Sequence, residues 1–147
     1  MTADILIKDI KYKIKEIASE IFSGTPVLFA YLYGSYAVDL DHPFSDLDIG
    51  IYVEEAMSDK YLELELSLSL IIDKKLGNIV ESEVRIINLL PLIIKGKIIT
   101  EGILIYSRDE IRRIEFEIQT RKAYFDFLPI INEYHRIYME KEKADLI

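Results

Sequence analysis

Cysteine is absent from this sequence of 147 residues, and histidine occurs only twice. Without cysteine there can be no disulfide framework, thiol nucleophile, zinc ribbon or iron–sulfur cluster, and the composition suits a reducing compartment. Positive charge is also short: 18 basic residues stand against 26 acidic ones, a formal charge of −8. That balance argues against a duplex-binding protein with a broad cationic face, so no direct nucleic-acid binding is expected. Long apolar runs are missing as well. The longest, Val27–Tyr33, is far below the roughly 20 residues of a membrane-spanning helix. Residues 1–20 mix lysines and acids and lack the apolar stretch of a secretory signal. The expectation is a cytoplasmic protein without a membrane partner.

What is present is enough for one ordinary domain over residues 1–147, with 50% hydrophobic and 30% charged composition. A chain of this size buries roughly 68 to 70% of its unfolded surface, so one core can hold it without staples. Ile7, Ile10, Ile14, Ile17 and Ile21 recur at helical spacing, with Lys and Glu between them, which predicts an amphipathic N-terminal helix over about 3–22. Ser23-Gly24-Thr25-Pro26 ends it. Val27–Tyr33 is apolar throughout and reads as a central strand buried on both faces. The polar stretch Asp39–Ser45, with Pro43, separates it from a second strand, Asp46–Val53, which two acids open.

Tyr61–Ile72 alternates Leu with Glu and Ser as a strand would. Leu and Glu favour a helix, however, Ser58 and Asp59 can cap its start, and Lys74-Lys75-Leu76-Gly77 suits its end, so a helix is expected. Glu83–Asn88 reads as a third strand, Leu90–Thr100 as a helix and Ile103–Tyr106 as a short last strand. Ser107 and Glu110 have capping-box spacing. A helical tail over about 108–142 should follow, kinked or broken before Pro129. Repeats, low-complexity runs and interdomain linkers are absent from the sequence.

The chemistry lies in Tyr33-Gly34-Ser35, then ten residues, then Asp46-Leu47-Asp48. Side chains two apart on a strand share a face, about 6.5 to 7 Å apart at their Cα atoms, so Asp46 and Asp48 can converge. Two carboxylates repel unless a cation joins them. Oxygen donors without His or Cys suit a hard ion such as magnesium, shared with substrate phosphates. Two such ions could clamp an in-line phosphoryl displacement. Gly34 lets backbone approach a ligand closely, and Ser35 adds a hydroxyl for phosphate oxygens. The Gly-Lys-Ser/Thr ending of a Walker loop is missing.

Gly34-Ser35, the ten-residue gap and Asp46-x-Asp48 resemble the signature of polymerase-beta-type nucleotidyltransferases in their minimal form. The resemblance covers about 27–106, continuing through Glu83–Pro91 and Lys97–Tyr106. The tail, Arg112–Tyr134 with Tyr124-Phe125-Asp126-Phe127, looks like the terminal helix of the minimal nucleotidyltransferase (MNT) antitoxins of HEPN/MNT toxin–antitoxin pairs. The resemblance implies an α/β (α+β) fold with a mixed or antiparallel sheet flanked by helices and a long C-terminal helix. It further implies an antitoxin of a type VII-like system that moves AMP from ATP to a tyrosine hydroxyl of a cognate HEPN ribonuclease toxin. Magnesium, two ions, would be the cofactor and a hetero-oligomer with the toxin the assembly. Position by position, Gly34 and Ser35 would hold the triphosphate, and Asp46 and Asp48 would bind metal. The third acid falls at Glu83, where the family usually has Asp; it would be a metal ligand and the base for the acceptor hydroxyl.

The bland counterpart is a Glu83–Arg85 ion pair on one strand face, worth at most about 1 kcal/mol if exposed. His42 and His135 read as surface residues, and Tyr31 and Tyr33 as packing residues. Tyr124, Phe125, Phe127, Tyr134 and Tyr138 occupy more than one helix face, which marks either a partner surface or packing against the N-terminal helix. Two other functions are expected alternatives: an antitoxin acting by occlusion alone, and a free-standing transferase for a small hydroxylated molecule.

Overall fold

The computed structural model describes the backbone of residues 3–37 and 46–145 and the side chains from Ile10 onward, except 56–58. The loop expected over Asp39–Ser45, with His42 and Pro43, lies outside the described residues, as do the side chains of Ile7 and Ser58. The elements run α1 (Ala3–Phe22), β1 (Val27–Tyr33), β2 (Leu47–Val53), α2 (Tyr61–Lys75), β3 (Ser82–Ile86), α3 (Leu92–Glu101), β4 (Ile103–Ser107) and α4 (Glu110–Asp145). The four strands form one sheet in the order β3-β2-β1-β4. It is mixed: β1 runs antiparallel to β2 and β4, whereas β2 and β3 are parallel, joined through α2.

Each face of the sheet has its own cover. Ile10, Ile14, Ala18, Ile21 and Phe22 of α1, Leu68 and Ile72 of α2 and Leu76 just after it form one buried cluster with Leu47, Ile49, Ile51 and Val53 of β2. Burying each of the Ile, Leu, Val and Phe side chains stabilises the fold by roughly 1.5 to 3 kcal/mol. On the other face Phe29 stacks on Tyr52 with ring centroids 4.6 Å apart, and Phe116 of α4 covers both. Residues of β1 therefore serve both layers, which is why Val27–Tyr33 has no polar side.

α2 explains its misleading alternation. A helix returns to one face every third or fourth residue. Leu64, Leu68 and Ile72 turn inward. Glu65, Ser69 and Asp73 point at β3, whose outer edge has no strand partner among the described residues. Glu65 accepts from the Ile86 amide (3.0 Å), Ser69 from Val84 (3.3 Å) and Asp73 from Ser82 (2.7 Å). A polar helix stripe thus closes an edge that would otherwise expose donors.

Four expectations are corrected. β3 ends at Ile86 and not at Asn88, because Ile87–Leu89 form a one-turn 3-10 helix before Pro91. α2 has no side-chain cap from Asp59, since 3-10 turns over Glu55–Lys60 run directly into it. Asp109 and not Ser107 caps α4: its Oδ1 accepts from the Arg112 amide at 3.1 Å, while Ser107 closes β4. The break before Pro129 is absent, and α4 runs through it as one helix. The stretch around it is exposed, so water can take the carbonyl that proline leaves without a donor. Among the described residues α4 packs chiefly on α3, with Tyr124 buried. Its later aromatics Tyr134 and Tyr138 are exposed, as is His135.

Candidate active site

β2 brings Asp48 to the end of the sheet at which the Gly34 turn leaves β1. In register, Asp48 stands opposite Tyr33 of β1 and Glu83 of β3, and Gly50 stands opposite Arg85. Paired residues share a face. Asp48, Tyr33, Glu83 and Arg85 therefore face the α3 side. Asp46 lies one residue ahead of β2, not within it, and is exposed.

Gly34 follows β1 at φ +73°, where a side chain is strained, and opens a one-turn 3-10 helix with Ser35 and Tyr36. A Cβ there would collide with the carboxylate of Asp48. Glycine is needed twice over, for the turn and for the approach of backbone to acid. Ser35 is half-buried in that turn.

The charges at this end are not reconciled. Asp48 is pushed up to about 6 by its burial, then by the carboxylates of Glu83 and Asp46, with Arg85 pulling the other way. Burial first, and then Asp48, push Tyr33 up to about 12, so its hydroxyl stays protonated. Glu83 is turned onto Arg85: its Oε1 accepts from Nη2 at 2.5 Å and Nε at 2.9 Å. The two side chains are 42% and 47% exposed, which limits the pair to about 1 kcal/mol and makes it easy to exchange. Among the described residues no three His, Asp or Glu side chains are already arranged to hold a metal ion.

The donor set itself fits a hard cation. It is carboxylate only, two members raise the proton affinity of the third, and a glycine leaves the space beside Asp48 unfilled. A positive ion would relieve the repulsion that burial and neighbours impose on Asp48.

A cavity of about 350 Å³ opens beside these groups, lined by Tyr33, Gly34, Asp48, Arg85, Ile94, Lys97 and Glu101. Sequence reasoning assigned no role to the last three, which lie on α3 far along the chain. Their spacing of three and four residues, following the Pro91 boundary, was the signal that one helix face would present them together.

A family model described as Polymerase beta, Nucleotidyltransferase matches residues 13–111. No curated protein matches at a significant level. Among solved structures, a toxin–antitoxin with AMP-PNP superposes with TM-score 0.60 at 14% identity, over 82% of this chain and 98% of that chain. The toxin–antitoxin MntA-HepT gives 0.55 at 12% identity, over 84% and 98%. A complex of a tri-AMPylated HEPN toxin with an MNT antitoxin, from Shewanella oneidensis, gives 0.53 at 14% identity, over 88% and 98%.

Proposed function

Because the chain belongs to the polymerase beta nucleotidyltransferase family, we propose that it is an antitoxin that transfers AMP from ATP to a tyrosine hydroxyl of a HEPN ribonuclease toxin and thereby neutralises it. One observation carries the reading: Asp48 stands in register with Glu83 and against the backbone of Gly34. The acceptor and nucleotide classes follow the similar complexes, one with AMP-PNP and one with a tri-AMPylated toxin.

Asp46, Asp48 and Glu83 would hold magnesium. When bound, the ion neutralises phosphate charge and offsets the repulsion among the acids. Gly34 and Ser35 supply a backbone turn and a hydroxyl to the triphosphate. The tyrosine oxygen bonds to the α-phosphorus as the bond to the β-phosphate oxygen breaks, and pyrophosphate leaves. Glu83, released from Arg85, takes the phenolic proton. Lys97 and Arg85 line the cavity beside Asp48 as cations for the departing phosphates.

Incubation of the chain with a cognate HEPN ribonuclease toxin, labelled ATP and magnesium should label a toxin tyrosine and silence its ribonuclease. Binding without label transfer would overturn the enzymatic reading. A second reading, an antitoxin acting by occlusion, is favoured by the Glu83–Arg85 pair, which occupies the third acid. It requires that Asp46→Asn and Asp48→Asn still neutralise the toxin.

A further inference from the structure

α2 presents three stripes, of which two have partners inside the fold. Leu64, Leu68 and Ile72 enter the core, and Glu65, Ser69 and Asp73 hold the edge of β3. The third stripe, Leu62, Leu66 and Leu70, is 68%, 59% and 70% exposed.

Leu62 and Leu66 form one wall of a groove of about 400 Å³, with Leu89 and Leu90 on the other side and Glu83 and Arg85 also lining it. The apolar trough therefore runs up to the acid assigned to receive the acceptor's proton. Of its polar lining, Glu65, Ser69 and Ser82 already hydrogen-bond within the fold, which leaves the exposed leucines as the larger part of the free wall. Its lining carries two carboxylates, Glu65 and Glu83, against the single guanidinium of Arg85, and exposed Glu81 lies just ahead of β3.

We infer that this groove docks the protein acceptor, seating apolar side chains of a basic-flanked segment between α2 and Leu89 so that the segment's hydroxyl reaches Glu83. Apolar burial supplies the affinity, while the acidic rim sets orientation and encounter rate. The inference rests on the reading of the chain as a protein-modifying transferase and adds where the acceptor binds.

The test uses the full chain, the cognate HEPN toxin of the labelling assay and labelled ATP. Leu62→Lys/Leu66→Lys changes only exposed positions, and Leu89→Ser probes the opposite wall should the double variant fold poorly. Either variant should raise KM for the toxin at least tenfold, with ATP affinity by calorimetry and the melting temperature unchanged. Variants that label toxin with the wild-type KM overturn the docking site alone. Sedimentation that shows a wild-type dimer lost in the variants, with toxin KM unmoved, assigns the groove to a second copy and overturns it too. A wild-type chain that neither binds nor labels the toxin sinks the functional reading, and the docking site with it.

Discussion

The two ends of β2 are built from opposite chemistry. At Val53 the side-chain amide of Asn88 closes the strand, donating from Nδ2 to the carbonyl at 2.9 Å and accepting from the amide at 3.1 Å. At Asp48 the charges that act on it among the described residues are those of two further acids and of one guanidinium already engaged by Glu83. One end is neutral and satisfied. The other retains repulsion that a cation or a proton would relieve. A single strand of seven residues thus separates an end that fixes the fold from an end available for chemistry.

Two substitutions should pull these ends apart. Asp48→Asn is expected to lower label transfer by on the order of a hundredfold or more, since it removes a group acting on the reacting phosphate. Its melting temperature should hold or rise, because a repelled carboxylate is gone. Asn88→Ala should do the reverse, costing about 2 to 3 kcal/mol as two partly buried peptide groups lose their partners. Transfer per folded molecule should stay near wild type. Thermal melts and labelling assays on both proteins check this; a destabilised Asp48→Asn or an inactive but folded Asn88→Ala would erase the contrast.

The same division decided what could be read from the sequence. The acid end was legible because Gly34, Ser35, Asp46 and Asp48 lie close along the chain and their spacing is a local property. Strand β1 was legible because burial on both faces removes every polar residue from it. The closing end was not: Asn88 meets Val53 across 35 residues, and nothing in an isolated asparagine announces its partner. The cavity wall from α3 has the same origin, with Ile94, Lys97 and Glu101 meeting Asp48 only through the tertiary fold. α2 defeated periodicity for another reason. Its leucines at 62, 64, 66, 68 and 70 serve two different faces, so the alternation of a strand was written by a helix with an exposed apolar stripe. Arg85 was visible as a neighbour of Glu83, but only side-chain packing could show that the pair forms.

A smaller effect separates turn geometry from the acid end. Gly34 and Gly24 both have positive φ, +73° and +78°, yet a Cβ at Gly24 meets nothing within 4 Å whereas one at Gly34 meets Asp48. Gly24→Ala should cost about 1 kcal/mol, the strain of the left-handed region alone. Gly34→Ala should cost that strain and roughly 1 kcal/mol more as the carboxylate is displaced, together with a measurable loss of ATP affinity. Equal melting temperatures for the two would mean that Asp48 moves aside freely and that Gly34 serves only the turn.

The smallest expected effect is the most direct measure of the repulsion. Asp48 lies at about 6 in the folded chain against an ordinary 3.8. Between those values the native state holds a proton that the unfolded chain has released. Stability from this group therefore rises as pH falls from about 7 toward 4, opposite to the usual salt-bridged carboxylate, and levels off below. The site is open to solvent, so the gain is on the order of 1 kcal/mol once screening is discounted. Other carboxylates impose their own pH dependence, and subtracting the Asp48→Asn profile from that of wild type isolates the contribution. Asn88→Ala should keep the slope intact, since it alters the far end of β2. Saturating magnesium should flatten the wild-type profile by holding Asp48 ionised. A slope insensitive to both the substitution and the ion would place the repulsion elsewhere and leave the two ends of the strand alike.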